Sequence, residues 1–373
     1  MTTASLAERV QAGDPRALAR VISLIENGDT SIRSVMKELA PLAAGARVIG
    51  LTGAPGAGKS TVTGALVKAF RRNGERVAVL AVDPTSPFSG GALLGDRVRM
   101  QDHATDSGVY IRSMASRGQL GGLAAATPQA VRALDCAGFG VILVETVGVG
   151  QAEVEIASTA DSTVVLVVPG MGDSIQAAKA GVLEIADVLA VNKADRPDTQ
   201  PTVRDLRNMI ALSDAPWKPP IVTTVGTTGD GIDDLVRQLD RHWEWLGETG
   251  ERDRRRLARA RDEVTALAFG AVRDRLAVPD ELAARVATGR LGPHEAAAEL
   301  LASAGLLPAR GDDPPEPPGA RPIARDRIGR AEQLARGDDS RSAIPGGTPG
   351  PPAPGARGPA SGHPPTLWGE SRR

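Results

Sequence analysis

The chain has 373 residues, enough for one sizeable α/β core with additions, since a domain takes roughly 150 residues. Its net charge of -1 gives no general attraction to nucleic acid or anionic lipid, and an aromatic content of 2% disfavours base stacking on aromatic platforms. A single cysteine, Cys136, excludes an internal disulfide and a cysteine-based zinc site. With no signal-peptide pattern and no apolar run of the ~20 residues that span a bilayer, we expect a cytoplasmic protein without membrane or nucleic-acid partners.

The first two regions differ in their periodicity. Residues 1–46 are predicted to form an N-terminal helical extension, in which Asp14 caps a helix that has Pro15 at its first position. Residues 47–247 contain short runs rich in Val and Ile, which lie at 47–53, 76–83, 140–146, 162–170, 188–195 and 220–226. Strands buried on both faces by crossover helices have this composition. The sequence therefore predicts an α/β fold with a doubly wound, mostly parallel sheet.

Two further regions follow the predicted sheet. Residues 248–307 are predicted to form C-terminal helices that pack on the main domain or on a second copy of the chain. Their first segment, residues 251–264, is strongly basic, which is typical of a solvated helix face, with a binding patch as the alternative. Residues 308–373 hold half of the 28 prolines and many Gly, Ser, Asp and Arg residues, so we predict a disordered tail.

A glycine-rich motif follows the first predicted strand and precedes a predicted helix. It matches G-x-x-x-x-G-K-[ST] and consists of Gly53, Ala54, Pro55, Gly56, Ala57, Gly58, Lys59 and Ser60, followed by Thr61. The glycines let backbone N–H groups point inward as an anion nest, and the helix N-terminus adds partial positive charge. Lys59 can reach the β- and γ-phosphate oxygens, and Ser60 offers a hydroxyl to Mg²⁺. The flanking strand and helix favour a P-loop over a chance match in a glycine-rich turn.

The identity of the nucleotide base is predicted from an N-K-x-D element at the end of a later predicted strand. This element contains Asn192, Lys193 and Asp195. In G proteins this element reads guanine, because the aspartate accepts from the ring N1–H and the exocyclic amine, a donor pair that adenine lacks. The alternative is an exposed loop at a strand end. Residues 223–232 follow where G proteins place a main-chain contact to the base, which predicts contacts from Val225, Gly226 and Thr227.

Acidic residues are predicted at the carboxyl ends of two strands, where open α/β sheets bind ligands. Asp83 ends one strand and Glu145 another, and Asp96 lies in a glycine-rich stretch between them. Mg²⁺ takes oxygen ligands and keeps several waters, so few carboxylates suffice. The alternative to metal binding is helix or turn capping for Asp83 and Glu145, and an ordinary loop position for Asp96. Gly148, three residues after Glu145, can present its N–H to a γ-phosphate as part of a switch.

Together these motifs resemble the methylmalonyl-CoA mutase-associated GTPases of the MeaB/ArgK type, which are P-loop G proteins of the metallochaperone family. The resemblance covers residues 5–307, and the strings that single out this family are VDPTSPFSGGALLGDRVRM (82–100), YIRSMASRGQLGGLA (110–124), ETVGVGQAE (145–153) and PGMGDSIQAAKAG (169–181). GAPGAGKST (53–61) and VNKADR (191–196) agree with it.

The resemblance implies a GTPase, slow without its partner, that protects an adenosylcobalamin-dependent acyl-CoA mutase and gates its cofactor loading. It implies a homodimer formed by the C-terminal helices, and a cobalamin adenosyltransferase as a further partner. The implied Mg²⁺ ligands are Ser60, Asp83, Asp96 and Glu145, and the implied catalytic residues are Lys59, Glu145 and Lys179, the last of which approaches the nucleotide when a partner is bound.

Two other classes of P-loop protein are the alternatives. A metallocentre-assembly GTPase would need a soft-metal site, which a single cysteine and four widely separated histidines disfavour. A small-molecule kinase would use ATP, which the N-K-x-D element disfavours.

Overall fold

The computed structural model of the protein describes residues 4–84, 105–116, 122–146, 152–170, 184–273 and 276–306. The predictions for Asp96, Gly148, Lys179 and the 308–373 tail lie outside these ranges. Within the described ranges, no helix is both long and apolar enough to cross a bilayer.

In the part of the chain that the structure describes, seven parallel strands form one sheet. They are β1 (Arg47–Gly53), β2 (Val77–Pro84), β3 (Val109–Ser116), β4 (Val141–Thr146), β5 (Ser162–Val167), β6 (Val188–Asn192) and β7 (Ile221–Thr224). Their order is β3-β2-β4-β1-β5-β6-β7, and every neighbouring pair is parallel. The central position of β1 places the glycine-rich motif in the middle of the carboxyl edge of the sheet. The predicted α/β, doubly wound architecture is confirmed.

The helices cover both faces of this sheet. They are α1 (Leu6–Gln11), α2 (Pro15–Glu26), α3 (Ile32–Leu39), α4 (Lys59–Arg72), α5 (Gly122–Cys136), α6 (Ala152–Thr159), α7 (Thr199–Ala211), α8 (Ile232–Glu248), α9 (Glu251–Arg273), α10 (Asp280–Ala287) and α11 (Pro293–Ser303). Helices α2, α5 and α6 pack on one face, with α1 and α3 packed against these helices, and α4 and α8 pack on the other face. Asp14 caps α2, because its carboxylate accepts from the N–H groups of Arg16 and Ala17.

The apolar runs of the sequence do not predict strand β3. Its sequence is interrupted by Arg112 and Ser113, so it does not form the uninterrupted apolar run by which the other strands were identified. The guanidinium of Arg112 donates to the carboxylate of Glu26 at 2.7 Å and to the hydroxyl of Ser23 at 3.0 Å, both on α2. The N-terminal helices thus supply the partner that lets a charged side chain lie against this edge strand.

The basic segment at the start of α9 is an anchor rather than a solvated face. Arg255 donates to both carboxylate oxygens of Asp187 at 3.0 Å. Arg256 and Arg259 contact the fully buried carboxylate of Asp161, just before β5. The interpretation as a solvated helix face is therefore wrong for these three arginines, which bind α9 to the amino-terminal edge of the sheet.

Asp187, which precedes β6, also belongs to a buried polar cluster. The ring of His242 on α8 is fully buried, with Nδ1 2.8 Å from Ser162 Oγ and Nε2 3.2 Å from Asp187 Oδ1. Burial by itself would raise the pKa of Asp187, but hydrogen bonds and charge from His242 and Arg255 outweigh it and hold this pKa below its ordinary value of 3.8. The carboxylate therefore stays ionised and stabilises the native state wherever the pH is above that value.

Replacing Asp187 with Asn should lower the free energy of unfolding at pH 7 by about 3 kcal/mol, because it removes the buried charge that pairs with the half-buried Arg255 and contacts the buried ring of His242. A carboxyl whose folded-state pKa is depressed stabilises above the unfolded-state pKa of about 3.9 and loses that contribution as the pH falls through its folded-state value. The difference between wild type and Asp187→Asn should therefore shrink below about pH 4. Urea denaturation at several pH values measures this difference in the free energy of unfolding. Asp205→Asn, at an exposed position on α7, is the control. A difference that stays constant down to pH 2 would contradict this assignment.

Candidate functional site

The glycine-rich motif forms a tight loop between β1 and α4. A side chain at Gly53 would place its Cβ 2.4 Å from the carbonyl oxygen of Leu166 on β5, so only glycine fits there. Gly56 and Gly58 have φ angles of 75° and 90°, which glycine adopts without strain. The loop therefore approaches the neighbouring strand closely and leads directly into the N-terminus of α4, whose first N–H groups have no partners within the helix.

The side chain of Lys59 folds back over this loop. Its exposed fraction is 8%, and its ammonium donates to the carbonyl oxygens of Gly53 at 2.7 Å and Ala54 at 3.3 Å. A positive charge is thereby held directly above the backbone of the loop, at the positive end of α4. This arrangement is suited to an anionic ligand.

The side-chain amide of Asn192 connects three loops. Its Nδ2 donates to the carbonyl oxygen of Ala57 at 2.7 Å, and its Oδ1 accepts from the hydroxyl of Thr224 at 3.2 Å and the N–H of Gly226 at 3.1 Å. The residue is 2% exposed, and a Cβ at Gly58 would lie 2.4 Å from Nδ2. Asn192 belongs to the predicted base-reading element, and in the structure its side chain links the loop after β7 to the glycine-rich loop.

The rest of the N-K-x-D element lies beside this amide. Lys193 has a φ of 59°, and its ammonium donates to the carbonyl oxygen of Gly56 at 2.8 Å. Asp195 is exposed, so its carboxylate is accessible to a ligand. The positive φ of Lys193 turns the chain sharply after β6, and such non-glycine conformations are concentrated at ligand sites.

The main-chain N–H groups of the loop after β7 differ in whether they already have an acceptor. The N–H of Val225 donates to the carbonyl oxygen of Asp230, and that of Gly226 donates to Asn192. The N–H of Thr227 has no acceptor within the described part of the chain. Of the three residues predicted to contact the base, Thr227 is therefore the one with an uncommitted main-chain donor.

Oxygen ligands converge beside the first turn of α4. The hydroxyl of Ser60 donates to Glu145 Oε1 at 2.5 Å, and Glu145 is 1% exposed. Strand β4 pairs with β1 and β2, so that Glu145 lies opposite Leu51 and Ala81. Asp83 lies two residues beyond Ala81 along β2, which places its backbone at the same sheet edge. The structure thus brings Ser60 and Glu145 together and places Asp83 near them in the fold.

Comparisons with known proteins identify the family of this chain. The model of the family described as methylmalonyl-CoA mutase-associated GTPase MeaB matches residues 18–280. A protein of Pyrococcus horikoshii that is named as a GTPase is 46% identical over 305 residues, which cover 79% of this chain and 96% of that protein. GTPase ArgK of Escherichia coli is 35% identical over 245 residues, covering 63% of this chain and 74% of ArgK.

A solved structure shows the same fold. The crystal structure of a LAO/AO transport system kinase superposes with a TM-score of 0.60 at 24% identity, covering 80% of this chain and 97% of that one. The family match covers the sheet and its flanking helices, and together with these relatives it establishes the family of the chain. It belongs to the family of methylmalonyl-CoA mutase-associated GTPases of the MeaB type, and it is a GTPase that binds guanine nucleotide.

Proposed function

We propose that the carboxyl edge of the sheet binds GTP together with Mg²⁺, and that hydrolysis switches the protein between two states that an adenosylcobalamin-dependent acyl-CoA mutase distinguishes. The observation that carries this proposal is the 2.5 Å contact between Ser60 and Glu145 beside the glycine-rich loop. This contact between the half-buried hydroxyl of Ser60 and the buried carboxylate of Glu145 joins the first turn of α4 to strand β4. The segment that follows β4 contains Gly148, the predicted switch residue.

In this proposal the β- and γ-phosphates lie over the loop from Gly53 to Gly58. Phosphate oxygens accept from the inward-pointing N–H groups and from the start of α4. Lys59 exchanges the carbonyl oxygens of Gly53 and Ala54 for phosphate oxygens, which are stronger acceptors because they are charged. Thr61, the next residue but one along α4, is predicted to contact the α-phosphate side of the nucleotide.

Ser60 and Glu145 provide the hard oxygen donors that Mg²⁺ prefers, with Asp83 and Asp96 as the other predicted ligands. The buried position of Glu145 fits this role, because a carboxylate with 1% exposure needs a cation or strong hydrogen-bond donors near it. When bound, the ion supplies positive charge that neutralises the oxygens of the transferring phosphoryl group.

The base is proposed to lie between the segment Lys193–Asp195 and the loop after β7. The carboxylate of Asp195 accepts from N1–H and the exocyclic amine of guanine, and the N–H of Thr227 donates to the O6 oxygen. Asn192 positions both segments through its contacts with Ala57 and Gly226 and is itself shielded from solvent.

The mutase is proposed as partner because the matching family is described as methylmalonyl-CoA mutase-associated. A mutase can accelerate hydrolysis only by binding the hydrolysis-competent state better than the resting state. Lys179, Gly148 and Asp96 are the proposed elements of that switch. In this role the protein protects the mutase and gates loading of its cofactor, in which a cobalamin adenosyltransferase would also take part.

A homodimer is proposed because α9 carries an apolar stripe on its outer face. Leu257, Val264 and Leu267 are spaced by seven and three residues, which places them on one side of the helix, and they are 54%, 67% and 43% exposed. The arginines that anchor α9 lie on its inner side. A second copy of α9 would bury this stripe.

Asp195→Asn should lower the affinity for GTP by about 10²-fold and raise that for xanthosine triphosphate, because an amide matches the xanthine edge better than a carboxylate does. Equilibrium titration with both nucleotides measures the change, and Asp205→Asn, an exposed acid on α7, is the matched control. Equal competition by ATP and GTP for the wild-type protein would contradict the proposed base site.

Val264→Asp should shift the protein from dimer towards monomer, because a charge in the centre of the α9 stripe is desolvated when the dimer forms. Sedimentation equilibrium measures the dissociation constant. Leu212→Asp replaces an even more exposed leucine, away from α9, and should leave it unchanged. A monomeric wild-type protein, or equal effects of both variants, would contradict this interface.

A cognate cobalamin-dependent mutase should raise GTP turnover by at least about 10-fold, which corresponds to about 1.4 kcal/mol of barrier. Lys179→Ala should lose most of this stimulation, because it removes a cation that can meet the developing phosphate charge. Turnover with and without purified mutase measures both effects, with Lys37→Ala on α3 as control. Equal stimulation of Lys179→Ala and wild type would remove Lys179 from the mechanism, and no stimulation by any such mutase would contradict the chaperone role.

A further inference from the structure

A cavity of about 490 Å³ opens between α4 and the loop that follows β7. At one end it is lined by Ser60, Thr61, Gly226 and Thr227, which are all predicted to hold the nucleotide. From there it continues along the surface of α4, well beyond the first turn of that helix. Its volume lies in the range of about 300–1,000 Å³ that is typical of small-molecule sites, so it has room for a chemical group in addition to the nucleotide.

The far end of this cavity is positively charged. Lys68 and Arg72 line it there, and none of the described residues that line the cavity is acidic. Arg72 contacts Asp233 at 2.5 Å, but both side chains are largely exposed, so the pair is weak and can open at little cost. The remaining lining residues are uncharged, namely Gly64, Ala65, Thr228, Gly229 and Ile232. The charge of the cavity therefore favours an anionic occupant.

Gly64 lies in the interior of α4 and lines the same cavity. A glycine within a helix is less favourable than alanine by about 1 kcal/mol. A Cβ at position 64 would meet no atom within 4 Å, and the helical backbone there is open to any residue. Neither packing nor backbone conformation requires glycine at this position. What its missing side chain provides is free space between the nucleotide end of the cavity and the two cations.

We infer that this cavity is a second anion site, which takes a phosphate group carried on the ribose of the bound guanine nucleotide. The inference rests on the proposed nucleotide site, because that site places the nucleoside at Thr61 and Thr227, the mouth of the cavity. A phosphate group that enters past Gly64 meets the ammonium of Lys68 first and the guanidinium of Arg72 beyond it. Free pyrophosphate has the same chemistry and is the other source of such a group.

Isothermal titration compares GDP with guanosine 5′-diphosphate 3′-diphosphate, and separately adds inorganic pyrophosphate to the GDP complex. The wild-type protein should bind the ribose-phosphorylated nucleotide at least about fivefold more tightly than GDP, because charge-assisted hydrogen bonds are added. This preference should weaken as salt is raised, since the cations are exposed.

Two variants test the cavity by different means. Gly64→Met fills the space at a helix position that accepts a side chain, and Lys68→Met removes the nearer charge while keeping the length of the side chain. Each should bring the ratio of the two affinities close to one. Lys37→Met, an exposed lysine on α3, is the matched control and should keep the wild-type ratio. Because Gly64→Met improves helix propensity, loss of folding cannot account for its effect.

If the ratio is near one in the wild-type protein but pyrophosphate binds the GDP complex, and both variants abolish that binding, the anion site is supported with free pyrophosphate as its occupant. A ratio near one without pyrophosphate binding overturns the inference, as does a preference that neither variant changes. Failure of the wild-type protein to bind GDP would contradict the proposed function instead, and pyrophosphate titration of the free protein would then decide whether the anion site exists.

Discussion

The buried amide of Asn192 holds three parts of the chain in fixed relative positions at the carboxyl edge of the sheet. A carboxamide has both donors and acceptors, so one side chain can bond the carbonyl oxygen of Ala57, the hydroxyl of Thr224 and the N–H of Gly226. Because the group is shielded from water, loss of any of these partners would leave a buried polar atom unsatisfied. The glycine-rich loop and the loop after β7 therefore cannot move independently, and a nucleotide bound as proposed would meet both loops in fixed positions.

At the amino-terminal edge of the sheet, ion pairs hold helix α9 against the strands. Asp161 and Asp187 are buried just before β5 and β6, and they bind arginines from the first turns of α9. Asp161 also accepts from the N–H of Val48 at the start of β1. Buried carboxylates are costly unless they are paired, so α9 must stay docked for these strands to begin where they do. This leaves the outer side of the same helix, with its apolar stripe, available for a second copy.

The carboxyl edge of the sheet thus carries the proposed ligand site, whereas the amino-terminal edge holds helix α9 in place. At the carboxyl edge, Glu145 on β4 contacts Ser60 in the first turn of α4. Asn192 joins the loops that follow β6 and β7. Helix α4 belongs both to the proposed phosphate site and to the cavity that is lined by Gly64. A group bound beside Lys68 would therefore lie on the same helix whose N-terminus is proposed to face the phosphates.

The sequence by itself determined the fold class, and it predicted a nucleotide site from the glycine-rich motif and the N-K-x-D element. Local signals were sufficient there: apolar runs of strand length between helical segments indicate a parallel sheet, and the spacing of Gly53, Gly58 and Lys59 needs only a strand before it and a helix after it. The tertiary structure decided what depends on residues that are distant along the chain. It showed β3 as a strand because Glu26 on α2 neutralises Arg112, and it turned Arg255 and Arg259 from an apparent surface charge into anchors. It also gave Asn192 its contacts across 135 and 34 residues. Periodicity reports which face of an element is apolar, but the partner of a charged or polar side chain is fixed only when the whole chain has folded.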